Sequence, residues 1–158
     1  MTTSTKEDAL PWYSPVVLVG HLFVSLLIGF FTASSVVPAV PRWTVTGIWV
    51  ALTAGYVIYE RFHPNTGGRD ENPVDYWTIA HTLAGVVAGL WYVPLVYLLI
   101  LVFLWEVFEF AVKGFGEKEE IRNRLVDMGV ALGAWILVVI PVMIFTGAPF
   151  PLADRYTP

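Results

Sequence analysis

Glu106 and Glu109 stand one helical turn apart in the stretch FLWEVFEFAVKGFG, near the end of an unbroken apolar run. An acidic residue at the centre of a membrane helix costs roughly 2.5–3.5 kcal/mol on insertion scales. Two of them therefore need a partner, a proton or a ligand. His81 lies in the preceding apolar stretch, and Asn123 and Asp127 follow at a spacing that puts both on one helix face. Glu106, Glu109, His81 and Asp127 offer oxygen and nitrogen donors suited to a hard or borderline divalent metal, the one cofactor the residues suggest. The paired Glu-x-x-His of di-iron bundles is missing. Clustered carboxylates also share protons, which suits acid–base chemistry or a proton relay. A structural account is open as well, in which Arg122 or Arg124 neutralises the acids as buried ion pairs. No nucleophile elbow, phosphate loop or haem-attachment motif is present, and the residues leave open whether the site is catalytic.

Such residues need elements to carry them, and composition names the kind. Of 158 residues, 56% are hydrophobic and only 14% charged, against about 25% charged in soluble domains. Mean hydropathy is +0.66. Several apolar stretches exceed the roughly 18 residues that suggest a membrane span. The expected architecture is an all-α integral membrane protein, a bundle of five transmembrane helices at about residues 15–37, 43–62, 74–91, 94–114 and 121–145. A polar tail, residues 1–14, precedes this domain of residues 15–146, and a short tail, residues 147–158, follows it. The first tail lacks the basic region and cleavage site of a secretory signal, and Trp12 and Tyr13 read as an interfacial anchor. The second span is the most polar, with Thr44, Thr46 and Thr53, and is expected to pack inside the bundle. Only YVP separates the third from the fourth, which predicts a tight antiparallel hairpin.

Charge orients the bundle. Lys6, Arg61, Arg69, Lys113, Lys118, Arg122 and Arg124 fall on one side, and Arg42 and Arg155 on the other. Seven of nine basic residues on the first side put it in the cytoplasm of a cytoplasmic-type membrane, with the N-terminus inside and the C-terminus outside. Measured from that side, His81 lies roughly 10 Å deep, Glu109 and Glu106 roughly 8–12 Å, and Asp127 roughly 9 Å. His21 of the first span lies at a similar level. The ionisable groups thus converge on one layer. Gly85 and Gly89, and again Gly129 and Gly133, repeat the four-residue spacing that lets helix backbones approach closely.

The stretches HTLAGVVAG, WEVFEF and RNRLVDMGVALGAW together resemble the pattern of VanZ-like and related uncharacterised small multipass membrane proteins. The resemblance covers about residues 76–135 and implies that His81, Glu106, Glu109, Asn123, Asp127 and Gly133 are signature positions. Glu109 departs from it, standing where a glutamine-like partner belongs. Beyond an association of VanZ with glycopeptide resistance at the cell envelope, these families imply a fold rather than a reaction.

Three functions fit these residues. The first is a cytoplasm-side intramembrane site for a cation or a lipid head group. The second is a non-catalytic subunit or scaffold, with other membrane subunits or further copies of the chain as partners. The third is a proton-coupled transporter, though no inverted repeat is visible. Membrane lipids are partners in each. There is no cysteine, net charge is −4, and no basic tract points to nucleic acid.

Overall fold

Prolines and turn residues set where the helices begin and end. The computed structural model describes residues 14–32, 34–62, 74, 76–111 and 121–153, and these hold five α-helices and no strand. They are α1 (Ser14–Thr32), α2 (Ala39–Phe62), α3 (Tyr76–Leu90), α4 (Leu95–Ala111) and α5 (Ile121–Thr146). Helix α1 stops five residues short of the expected 37. Ser34 turns its backbone N–H to the Trp91 carbonyl at 3.1 Å, and Pro38 disfavours helix in the residue before it. Helix α2 starts four residues earlier than expected because Pro41 falls in its first turn, where a missing N–H leaves no helical bond unmade.

Among the described residues, α5 alone is by length and composition long and apolar enough to cross a membrane on its own. Helices α3 and α4, with 15 and 17 residues, are shorter than the roughly 20 that span a hydrocarbon core. The apolar run they share is cut at residues 91–94, where Tyr92 adopts φ 55°. That left-handed conformation is uncommon for a residue with a Cβ. Tyr92 is held there by burial and by its hydroxyl, which donates to the Pro149 carbonyl at 2.8 Å.

The same end of the bundle is closed by the segment after α5. Leu95 and Val96 donate their backbone N–H groups to the carbonyls of Pro151 and Leu152 at 2.8 and 3.0 Å. These are N-terminal donors of α4 that have no partner within their own helix. Trp135, wholly buried, donates its indole N–H to Val93 at 2.9 Å. Arg42 donates to the Ser34 carbonyl at 3.1 Å and lies over the Trp91 ring.

The central pair is α3 with α5, and not the hairpin that the short YVP link predicts. Helix α3 lies along α5 and, less extensively, α2, whereas α4 approaches α5 and α1. Helices α3 and α5 run parallel. A Cβ on Gly85 would fall inside the van der Waals surface of the Ala131 carbonyl, and one on Gly89 would come within 2.7 Å of Val138 Cβ. Removing side chains at these two positions lets the helices meet backbone to backbone. The matching α5 glycines do something different. Gly129 and Gly133 meet nothing within 4 Å, so among the described residues that stripe is not a helix contact.

Candidate functional site

The close α3–α5 contact fixes the register of the polar residues. Gly85 faces Ala131, and Gly89 reaches Trp135, at a constant offset of 46 positions. The same offset one turn earlier pairs His81 with Asp127, and their Nε2 and Oδ2 atoms lie 3.7 Å apart. His81 is 9% exposed and Asp127 1%. Asn123, one turn before Asp127, is also fully buried on the α5 stripe that continues through Ala131, Ala134 and Trp135. An interior this apolar makes each polar group there expensive unless it is satisfied.

The other expected site residues are distributed as follows. Glu106 is buried on α4. Glu109 belongs to the same helix, but its side chain lies outside the described residues, as do the side chain of Glu60 and the residues Lys6, Trp12, Tyr13, Arg69, Lys113, Lys118 and Arg155. His21 is half-buried on α1. Its Nε2 is hydrogen-bonded to Ser25 Oγ at 3.3 Å, and its ring packs 4.8 Å from Trp105 and 5.5 Å from Phe108. Among the described residues, no three His, Asp or Glu side chains are grouped as a metal site would need. Of the four residues of the expected metal set, His81 and Asp127 lie together.

One feature escaped sequence reasoning. Helices α3 and α4 stand apart, bridged by Trp105, whose ring is 5.8 Å from that of His81 and 6.1 Å from that of Trp77. Among the described residues, the backbone of α1 comes nearest to α4, and Leu22 reaches Val57, Trp77 and Ala80 of α2 and α3. The space left between α1 and helices α2, α3 and α4 is a cavity of about 350 Å³, within the range of small-molecule sites. His81 and His21 line it, together with Thr53, Trp49, Trp77 and Trp105. His81 thus stands between the Asp127 carboxylate and an apolar cavity.

The second helix does not pack inside the bundle as expected: it turns Thr46 and Thr53 inward, while Val40, Trp43, Ile48 and Ile58 of the same helix are exposed. Thr46 and Thr53 are buried, Trp91 Nε1 donates to Thr46 Oγ1 at 2.9 Å, and Trp49 Nε1 donates to the Ala80 carbonyl at 3.2 Å. Thr44 is exposed. The spacing Thr46, Trp49, Thr53, Val57 is the signal that could have marked this face, since it repeats at helical intervals. Comparison with protein-family models, with curated proteins and with solved structures finds no match for this chain.

Proposed function

We propose that the chain is a multipass membrane protein whose buried His81–Asp127 layer receives the polar end of a membrane-dissolved molecule. The observation that carries this reading is the position of His81, with Asp127 behind it and the cavity in front. In this reading all five helices lie across a cytoplasmic-type membrane, the shorter ones within the bundle. The distribution of polarity supports it. Outward positions are apolar, as at Leu137 (76% exposed) and Phe145 (86%) on α5, and at Phe103, Val107 and Ile100 on α4. The buried set instead includes Thr46, Thr53, His81, Glu106, Asn123 and Asp127. Water would penalise that outer surface, whereas lipid chains solvate it. The VanZ-like pattern fits the same fold and positions without naming a reaction.

Orientation tests the membrane part. Cysteine labelling at the two ends should find the N-terminus in the cytoplasm and the C-terminus outside, as the arginine and lysine count requires. Both ends on one side would overturn the five-span arrangement.

A second measurement separates a head group from a cation. Thermal unfolding of wild type and Glu106→Gln, with and without added magnesium or manganese, should respond alike to the ions. A metal-dependent rise in wild type that disappears in the variant would place a cation at Glu106 instead.

A further inference from the structure

We infer that the cavity takes a neutral, single-chain amphiphile whose head presents an oxygen acceptor, a class that includes long-chain alcohols, esters and ketones. This rests on reading the cavity as an intramembrane ligand site.

Shape gives the single chain. On α3 the lining runs from Trp77 to Ala88, roughly 16 Å at about 1.5 Å per residue, and continues to Trp91 in the turn after it. About 350 Å³ drawn out along that length makes a slot of the shape that one extended chain fills. Its mouth lies on the flank of the bundle, where Phe23, Leu27 and Phe30 of α1 and Trp43 of α2 line the cavity and are also exposed. A ligand would reach it sideways from the lipid.

Chemistry gives the head and its position. At the far end from His81, the indole N–H of Trp91 is already spent on Thr46. Close to His81, that of Trp49 is spent on the carbonyl of Ala80, the residue before it. At the His81 end the wall holds three polar atoms with no hydrogen-bond partner among the described residues, Thr53 Oγ1, Trp105 Nε1 and His81 Nε2, the last 3.7 Å from Asp127 Oδ2. Thr53 is 3% exposed. It sits one turn from Trp49 and one turn from Val57, which packs on Trp77 and Ala80, so it is level with His81. Leaving such groups unpaired carries a desolvation cost that a ligand oxygen would offset. An indole N–H can only donate, so the head must accept. Among the described residues no Lys, Arg, Asp or Glu lines the cavity, so a charged head would meet no opposite charge there.

The test uses fluorescence, because five of the seven tryptophans (Trp43, Trp49, Trp77, Trp91 and Trp105) line the cavity. The full chain is placed in lipid nanodiscs and titrated with a long-chain primary alcohol brominated at mid-chain. The matching bromoalkane and brominated fatty carboxylate are run beside it, since bromine quenches indole on contact. The alcohol should quench saturably and more tightly than either companion. Gly29→Phe, at a lining position where a Cβ meets open space, should remove the saturable phase by filling the slot. Thr53→Val keeps the side-chain shape and should weaken the alcohol about five- to tenfold, leaving the bromoalkane unchanged.

Tighter binding of the carboxylate would overturn the neutral head while leaving an intramembrane ligand site standing. An unchanged alcohol affinity in Thr53→Val would overturn the placement of the head. Quenching that grows linearly with every probe, and equally in Gly29→Phe, would mean bilayer contact only and would sink the ligand site itself.

Discussion

Gly85→Ala should destabilise the protein by about 3 kcal/mol, near the upper end of what an added methyl group costs in a packed interior. The new Cβ would meet the backbone carbonyl of Ala131, not the movable end of a side chain. No rotamer change can relieve that contact, so α3 and α5 must separate or slide. His81 and Asp127 lie one turn away on the same two helices, so their 3.7 Å contact would lengthen with the interface. Gly133→Ala supplies the contrast. Its Cβ would enter open space, and alanine is favoured over glycine in a helix by up to about 1 kcal/mol, so this variant should match or exceed wild type. Equilibrium unfolding in a bilayer mimetic measures both. Equal stabilities for the two variants would contradict the backbone-to-backbone packing of α3 on α5.

These two glycines also mark how far the sequence can be read. Gly85–Gly89 and Gly129–Gly133 have identical spacing, and spacing only says that two residues share a helix face. Which face meets a neighbour depends on how each helix is rotated in the bundle, and that is a property of all the packed surfaces together. The depth count puts His81 and Asp127 at one level because rise per residue is a local quantity, and the two side chains lie 3.7 Å apart. The partner of α3 was not local. A three-residue link suggested α4, but large side chains such as Trp77 and Trp105 hold α4 away, while Gly85 and Gly89 admit α5. The cavity was illegible for the same reason. It is the volume that four helices leave unfilled, and no single segment encodes it. The sequence marked Thr53 only as one polar residue of a polar span, and its burial without a hydrogen-bond partner appears only once its neighbours are in place.

Asp127→Ala should be the more damaging substitution of the polar layer, with a loss of about 1–3 kcal/mol, the range for leaving a buried polar group unsatisfied. Asp127 is almost wholly buried and faces His81, so truncation leaves an imidazole without its carboxylate and a hole beside it. Against a typical total stability of about 5–15 kcal/mol, that is enough to lower the folded yield visibly. Asp127→Asn keeps the volume and an acceptor oxygen and should lose less than half as much. The pairing itself is tested by a double-mutant cycle with His81→Ala. Because each single variant already forfeits the contact, the double variant should be less destabilised than the sum of the two by about 1 kcal/mol or more. Additivity within about 0.5 kcal/mol would mean that the two side chains act independently. His81 would then be free of Asp127, and the polar end of the cavity would rest on Thr53 and Trp105 alone.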